Sequence, residues 1–287
     1  MTVLIAYAPE KSGKPTLALG AALAQARGED IRLVHVVRRT WHASPGNADA
    51  EFRQWAAESA DEATAQGVAE LADLAPGVVV HTHHIEGRSV PNSLLEAIET
   101  LKPCVVVLGS GSAGALGQVS LGSTANRLAH SSPVPVALAP RGYRYAPLER
   151  VTAAWTQEDD VDLLGEMLTF AKDAGVPARA VTFGLRAERM YPPEVGLDAE
   201  DEVFVAWHAG ASAALQRAAS SVGLAEADTE VSVGEGWRDA VDGVEWHPGD
   251  LLAIGSHGGG IVKRVFLGSS ASRILRNSPV PVAVFPG

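Results

Sequence analysis

The sequence predicts an α/β protein with two repeats of a five-stranded parallel sheet, doubly wound, with helices on both faces of each sheet. Two observations lead to this prediction. Short β-branched or apolar runs alternate with Ala-, Leu- and Glu-rich segments, and the second half of the chain repeats the first. Parallel strands need crossover connections of helix length, so this alternation builds sheets covered by helices. With 287 residues the chain is long enough for two ordinary domains.

The repeat becomes visible when the sequence is shifted by 146 residues, which places Leu108 on Ile254 (254 − 108 = 146). Three separated blocks then coincide in one register, namely Leu108-Gly109-Ser110 with Ile254-Gly255-Ser256, Leu121-Gly122-Ser123 with Leu267-Gly268-Ser269, and Pro133-Val134-Pro135-Val136 with Pro279-Val280-Pro281-Val282. This agreement indicates homologous repeats. The link at 142–149, which contains Pro147, is the predicted boundary, and the predicted domains are 1–144 and 145–287.

Each half is predicted to form five strands and four helices. The strands of the first half are Val3–Tyr7, Ile31–Val37, Val78–Ile85, Cys104–Gly109 and Val134–Leu138. Those of the second half are Arg150–Trp155, Ala178–Phe183, Thr229–Val233, Leu251–Gly255 and Val280–Phe285, with helices at Val161–Ala174, Val203–Val222, Trp237–Val244 and Ser270–Arg276. The segment Leu185–Asp201 is predicted to be a surface loop, because Tyr191-Pro192-Pro193 should prevent a helix.

The charge and the hydropathy pattern limit the partners. A formal net charge of −11 disfavours attraction to nucleic acid or to an anionic membrane, so an anionic ligand must be held by local groups. The sequence has no apolar stretch of about 18 residues that could span a bilayer. Met1–Tyr7 carries no basic segment ahead of its apolar run, so it is interpreted as a strand and a cytoplasmic location is expected.

The loop after the fourth strand of the second half is the most informative segment. In open α/β sheets ligands collect at the carboxyl ends of the strands, near the point where the strand order reverses. Four glycines stand within the six residues 255–260, so the backbone can pass close to a ligand. Gly268-Ser269 then opens a helix whose free amides favour a phosphate, and Lys263 and Arg264 could supply charge. A simple glycine turn is the alternative.

The spacing Gly255-x2-Gly258-x9-Gly268-Ser269 resembles the nucleotide-binding signature of the universal stress protein family, and the Pro-Val-Pro-Val block follows at the expected distance. The resemblance extends over essentially the full length, as two copies of a five-stranded domain with the adenine nucleotide alpha hydrolase-like fold. It is specific in this loop and diffuse elsewhere.

The resemblance implies binding of ATP or AMP, with or without Mg²⁺, at the carboxyl edge of the second sheet. The phosphates and ribose would be held by Gly255, Gly258, Gly268 and Ser269. The full predicted binding set is Gly255, Ser256, His257, Gly258, Gly268, Ser269, Ser270 and Thr156. The family also implies pairing of Val280–Phe285 with Val134–Leu138 within one chain, and a homodimer is expected.

Two departures from the family pattern weaken this expectation. In the first half Ser112 stands at the position of Gly258, and no Lys or Arg lies between Gly109 and Ser123, so this half is predicted to be the degenerate copy. The aspartate that ATP-binding members usually place after the first strand is replaced by Ala8 and by Thr156. Glu10, Glu158 and Asp159 stand close by in sequence and could substitute for it; the alternative is that they only complement the dipole of the helix that follows.

Other candidate residues favour structural roles. His81, His83 and His84 lie on a predicted strand without a cysteine or clustered acid to complete a metal site, so no metal site is predicted. The one cysteine, Cys104, lies in an apolar run and is interpreted as a core residue. His257 is interpreted as structural or ligand-lining, and Trp155 as core, with base stacking as the alternative.

No Ser-His-Asp arrangement, paired carboxylates or Walker-type lysine motif is evident, so no catalytic residue is predicted and an enzyme is not expected. Three hypotheses remain. The first is a nucleotide-responsive stress regulator, the second an interaction scaffold whose loop glycines are remnants, and the third a slow ATP hydrolase. The missing aspartates favour the second, and the intact loop of the second half favours the first.

Overall fold

The computed structural model describes residues 1–9, 13–38, 47–111, 114–156, 161–186, 197–225, 228–256 and 269–287. The chain divides into two compact units, one over Met1–Leu148 and the other over Glu149–Phe285. None of the helices in the described ranges is long and apolar enough to cross a membrane.

The first unit has a parallel sheet of five strands in the order β3-β2-β1-β4-β5. Its elements are β1 (Thr2–Ala6), α1 (Gly13–Arg27), β2 (Asp30–Arg38), α2 (Asn47–Leu74), β3 (Val80–Gly87), α3 (Val90–Leu101), β4 (Val105–Gly109), α4 (Ser123–Ala129) and β5 (Val136–Ala139). The chain winds outward from β1 to β3 and then returns to β4 on the other side of β1. Right-handed crossovers therefore place α1 and α2 on one face and α3 and α4 on the other.

The second unit repeats this order as β8-β7-β6-β9-β10. Its elements are β6 (Arg150–Ala154), α5 (Val161–Asp173), β7 (Ala178–Leu185), α6 (Leu197–Ser221), β8 (Thr229–Gly234), α7 (Trp237–Asp242), β9 (Asp250–Ser256), α8 (Ser269–Asn277) and β10 (Val282–Pro286). Strand β6 pairs in parallel with β7 and with β9, and β7 pairs in parallel with β8.

The cores of both units lie between the central strands and the helices. Every residue of β9 is buried, as expected for a parallel strand covered on both faces. A Cβ on Gly20 would lie 2.2 Å from the Cδ1 atom of Ile5, so α1 packs against β1 with no room for a side chain there. A Cβ on Gly67 would lie 3.1 Å from both Leu33 and Tyr7, which brings α2 onto the same face.

The predicted fold class is confirmed, and each of the ten predicted strands is present with ends within two residues of the prediction. The prediction of a loop over Leu185–Asp201 is wrong at both ends: β7 includes Leu185, and α6 already begins at Leu197. Proline restricts its own backbone and that of the preceding residue, so Pro192 and Pro193 do not prevent a helix that begins four residues later. These two prolines lie outside the described residues.

Candidate functional site

A cleft of about 640 Å³ opens in the first unit at the carboxyl ends of β1 and β4. The strand order reverses between these two strands, so the cleft lies at the topological switch point of the sheet. Its lining comes from four places: the residues after β1, the middle of β2, the residues after β4 and the first turn of α4. Examples are Ala8, Val36, Ser110 and Thr124.

Among the described residues, two ionisable side chains line this cleft, those of Tyr7 and His35. The Nδ1–H of His35 donates to the backbone carbonyl of Tyr7 at 3.1 Å, so Nε2 is the ring nitrogen left for another partner. Burial, and secondarily the negative charge of Glu70, raises the pKa of the Tyr7 phenol, which is therefore neutral at physiological pH. Sequence reasoning did not select either residue. Tyr7 could have been found from the repeat, because Trp155 holds the matching place after β6.

The glycine-rich loop that follows β4 is hydrogen-bonded to itself. The amide of Gly111 donates to the carbonyl of Ser120 at 2.8 Å, and the hydroxyl of Ser120 donates to the carbonyl of Gly111 at 2.9 Å. The amide of Ser120 donates to the hydroxyl of Ser110, which is buried. Farther along, the amide of Gly117 donates to Arg141 at 2.8 Å. Four amides or hydroxyls that could face a ligand are thus already paired within the protein.

The backbone of this loop is also tightly packed. A Cβ on Gly111 would lie 3.0 Å from the amide nitrogen of Gly122, and a Cβ on Gly114 would lie 2.9 Å from the Cβ of Ser120. The glycines of the first loop therefore allow the chain to close on itself. Ser112, the residue in place of the missing signature glycine, lies outside the described residues.

Replacing Ser110 by alanine is expected to lower the free energy of unfolding by roughly 1–3 kcal/mol, because the amide of the half-buried Ser120 would then lose the buried hydroxyl that accepts its hydrogen bond. Urea-induced unfolding of the full chain measures this loss. The matched control is Ser131→Ala, at an exposed position after α4, with an expected change within about 0.5 kcal/mol. Equal effects of the two substitutions would contradict the described loop geometry.

In the second unit, two residues of the predicted binding set end strand β9 and are buried. A Cβ on Gly255 would lie 2.3 Å from the Cδ2 atom of Leu163 in α5, so this glycine allows close packing of helix against strand. The hydroxyl of Ser256 is fully buried and donates to the carbonyl of Phe285 at 2.8 Å. Both residues fix the end of the strand from which the loop departs.

Of the remaining predicted residues, the structure describes Ser269, Ser270 and Thr156. Ser269 and Ser270 begin α8, the first exposed and the second half-buried. Thr156 lies two residues beyond β6, and β6 pairs with β9, so Thr156 and Ser256 lie at the same edge of the sheet. Three predicted residues and five other residues named above lie outside the described ranges: His257, Gly258, Gly268, Glu10, Glu158, Asp159, Lys263 and Arg264.

Trp155 occupies in the second unit the place that Tyr7 occupies in the first. The amide of Tyr7 donates to Val34 at 2.8 Å and that of Trp155 to Val181 at 2.9 Å. The indole is only 6% exposed, as the core interpretation expects. Its Nε1–H is buried and has no hydrogen-bond partner within the part of the chain that the structure describes.

Comparison with known proteins gives the family. Two segments of the chain, residues 1–140 and 151–286, each match the universal stress protein family. The chain belongs to this family. Universal stress protein Rv2319c of Mycobacterium tuberculosis H37Rv and Universal stress protein Mb2346c of Mycobacterium bovis are each 40% identical to it over 293 residues, with all of both chains covered. These matches place the protein among stress-response proteins.

A solved structure of a universal stress protein from Archaeoglobus fulgidus has the same fold. It covers 99% of this chain and 96% of its own length with a TM-score of 0.62, at 18% identity. The two tandem copies of the family domain and the doubly wound sheets agree with the fold predicted from the sequence.

The other candidate residues of this universal stress protein have structural contacts. Arg32 donates to the Nε2 atom of His83 at 3.4 Å, so that nitrogen is an acceptor, and burial together with the charge of Arg32 lowers the pKa of His83. His84 faces the opposite side of the sheet, 3.1 Å from Asp61 and 2.8 Å from Thr64. The described residues contain no group of three or more His, Cys, Asp or Glu side chains that could hold a metal ion.

Cys104 is half-buried, immediately before β4. Its thiol donates to the carbonyl of Thr2 at 3.3 Å, and burial raises its pKa. Since the thiolate is the reactive form, this environment is typical of a structural cysteine.

Proposed function

We infer that this universal stress protein is a nucleotide-responsive regulator that binds an adenine nucleotide, ATP or AMP, in its second domain. The observation that carries this inference is the intact signature of the second loop, Gly255-x2-Gly258-x9-Gly268-Ser269. Its two flanks, Ser256 at the end of β9 and Ser269 at the start of α8, are described by the structure.

The position of these flanks supports the inference. Strand β9 ends next to β6, so the loop departs from the carboxyl edge of the sheet beside the strand-order reversal, where doubly wound sheets bind their ligands. Helix α8 has nine residues and begins at Ser269. Its free amides and dipole favour a phosphate, and the serine hydroxyl adds a donor.

The second domain is favoured over the first for two reasons. The sequence of the second loop contains Lys263 and Arg264, whereas the first loop has no Lys or Arg between Gly109 and Ser123. In addition, the first loop pairs its own amides, as Gly111 does with Ser120. A phosphate is well bound only where charges or free amides replace its lost hydration.

A regulatory role rather than turnover is part of the proposal. The predicted set contains hydroxyls, glycines and one histidine, and its described members show no pair of groups placed as nucleophile and base. Magnesium would accompany the phosphates of ATP, with Ser269 and Ser270 as the hydroxyls available to hold it. A cytoplasmic location and a homodimer stay predictions.

An interaction scaffold without a nucleotide is the second candidate. It is favoured by Ala8 and Thr156, which replace the aspartate expected after the first strand of each domain. It is also favoured by the first loop, in which Gly111 and Gly114 serve close packing.

Calorimetric titration of ATP with magnesium into the full chain separates the candidates. We expect a single binding site in the intact protein and no binding in Gly268→Glu, because a carboxylate in the phosphate cradle repels the ligand. The control is Gly210→Glu on the exposed surface of α6, where a Cβ meets no atom within 4 Å. This control adds the same charge to the same domain and should leave the affinity unchanged.

Two results would contradict the proposal. Absence of binding heat and of thermal stabilisation in the intact protein, up to millimolar ATP, would favour the scaffold. Loss of ATP binding in Gly122→Glu, the matching change in the first domain, with retention in Gly268→Glu, would move the nucleotide to the first domain.

A further inference from the structure

His84 lies between the edge strand β3 and the helix α2, with a partner at each ring nitrogen. Its Nδ1 atom is 3.1 Å from Oδ1 of Asp61, and its Nε2 atom is 2.8 Å from the hydroxyl oxygen of Thr64. Asp61 and Thr64 are one turn apart on α2, so they are neighbours on the surface of that helix. The ring therefore joins β3 to α2 at two points.

These partners decide which nitrogens of the ring carry a proton. A carboxylate only accepts hydrogen bonds, so Nδ1 of His84 donates to Asp61. The hydroxyl of Thr64 has a single proton, which it donates to the carbonyl of Ala60 at 2.6 Å. The oxygen of Thr64 can then only accept from His84, which requires a proton on Nε2 as well. This is the charged imidazolium form of the ring.

The neutral ring makes a weaker connection. When Nε2 loses its proton it becomes an acceptor, so the hydroxyl of Thr64 must turn its proton from Ala60 toward His84 for the contact to persist. The set then has one hydrogen bond fewer, and the bond from His84 to Asp61 is no longer between opposite charges. Protonation therefore strengthens the connection between α2 and β3, and a rise in pH weakens it.

Burial shields part of this set from water. Thr64 is only 3% exposed and the side chain of His84 is 31% exposed, whereas that of Asp61 is 74% exposed. Because water screens exposed ion pairs, the attraction to Asp61 contributes little by itself. The hydrogen bond to the buried hydroxyl of Thr64 carries most of the effect.

Two further titratable groups lie beside His84 on the same face of the sheet. His35 of β2 is opposite His84 in the parallel register, and the two rings are edge-to-face with centroids 6.4 Å apart. The Nδ1–H of His35 is donated to the carbonyl of Tyr7. Glu86 is two residues beyond His84 on β3. A charge on His35 would oppose protonation of His84, and the carboxylate of Glu86 favours it.

The second domain has the same fold without this histidine. His35 and Thr182 are matching residues, since each donates to the carbonyl of the residue that follows the first strand of its domain. The strand registers place His84 opposite His35, and Val231 opposite Thr182. A valine therefore completes the same position in the second domain, so the fold itself does not require a histidine there.

We propose that His84 forms a pH-dependent link, in which the protonated ring fixes α2 to the edge strand β3 of the first domain. The His84 link forms as the pH falls through the range in which histidine side chains gain their charge, about pH 8 to 5. Helix α2 supplies Ser59 and Ala63 to the lining of the first-domain cleft, so acid conditions hold this wall more firmly. The link is independent of nucleotide binding in the second domain.

Hydrogen exchange of the full chain tests the link, because the exchange of helix amides reports local opening. The protection factor, which divides out the intrinsic exchange rate, is compared between the intact protein and His84→Val at about pH 5.5 and about pH 8. We expect residues 57–68 to be at least about threefold less protected in the variant at the lower pH. The difference should shrink at the higher pH. Since the second domain has valine at this position, the variant should fold.

Variants of Thr64 test the proton count. Thr64→Val removes the hydroxyl and should lose the added protection at the lower pH, whereas Thr64→Ser retains the hydroxyl and should keep it. The matched control is His81→Val, on the opposite face of β3 from His84, which should leave the protection of residues 57–68 unchanged at both pH values.

The ring itself gives a second measurement. The ¹⁵N chemical shifts of His84 report which of its nitrogens is protonated. Because Asp61 accepts from Nδ1, we expect the ring to lose its Nε2 proton as the pH rises and to keep the proton on Nδ1.

Three results would overturn the proposal. These are an effect of His84→Val that is equal at both pH values, full retention of protection in Thr64→Val, and a neutral ring whose proton is on Nε2. Failure of ATP to bind the intact protein would contradict the proposed function of the second domain, but it would leave these comparisons unaffected.

Discussion

Replacing Asp250 by alanine is expected to lower the free energy of unfolding by roughly 3–5 kcal/mol, because it removes the buried counter-charge of an arginine cluster. The carboxylate accepts two hydrogen bonds from Arg150, at 3.0 and 2.6 Å, and one from the amide of His247 at 2.9 Å. Its side chain is only 1% exposed. A second guanidinium, that of Arg179, lies 3.9 Å from Oδ2 of Asp250, the oxygen that accepts the 2.6 Å bond from Arg150.

The cost follows from the charges that remain. The hydrogen bonds to Asp250 raise the pKa of Arg150, so this guanidinium keeps its charge. Burial, followed by the charge of Arg150, lowers the pKa of Arg179, which means that the two cations disfavour each other. Without Asp250, the acids that remain to offset the repulsion between the two arginines are Glu230 and Glu245, which are 42% and 79% exposed.

Urea-induced unfolding of the full chain measures the effect, and Glu230→Gln is the control. Glu230 lies 3.8 Å from Arg179 but is 42% exposed, so its loss should cost less than about 1 kcal/mol. Replacing Asp250 and Arg150 together by Leu and Met should cost less than Asp250→Ala alone, since no unpaired charge remains between them. An Asp250→Ala variant as stable as Glu230→Gln would show that the cluster does not stabilise the fold.

The strand-and-helix order of this universal stress protein could be predicted because it depends on local patterns. Apolar runs such as 105–108 and 251–254 are long enough to mark buried parallel strands, and the repeat supported each assignment twice. The start of α6 at Leu197 was missed because a proline restricts only its own backbone and that of the preceding residue, and not residues four positions later.

The site was only partly predictable, because its properties arise from contacts distant in sequence. The spacing of Gly255, Gly258 and Gly268 could be found without a structure. The pairing of Ser120 with Ser110 and Gly111 could not be predicted. A glycine-rich loop has the same sequence pattern whether its backbone binds a ligand or pairs within the loop. His35 was missed because a single histidine on a strand gives no signal of the cleft beside it.

The glycines that end β3 and β8, Gly87 and Gly234, were also missed. They show that glycine has two different roles in this fold. In the second loop, glycine is predicted to admit a ligand, whereas at Gly234 it admits the next helix of the same domain. A Cβ on Gly234 would lie 2.3 Å from the amide nitrogen of Ala240 and 2.6 Å from the carbonyl carbon of Asp239. These are backbone atoms of α7, which cannot move aside as a side chain can.

Gly234→Ala is therefore expected to lower the free energy of unfolding by about 3 kcal/mol, the upper end of the usual range for overpacking. Thermal and urea-induced unfolding of the full chain would measure it. The same substitution at Gly210, inside α6, should instead stabilise the protein by about 0.5–1 kcal/mol, because a Cβ there meets no atom within 4 Å and alanine favours helix.

Gly87 completes the comparison, since it ends β3 as Gly234 ends β8. The Cβ of Gly87→Ala would lie 1.9 Å from the hydroxyl oxygen of Ser93, a side-chain atom that can rotate away. We therefore expect a loss smaller than that of Gly234→Ala, and one that Ser93→Ala reduces further. If the alanine variants at positions 87, 210 and 234 shift stability equally, the cost would come from the backbone freedom of glycine, and the contact with α7 would not be its cause.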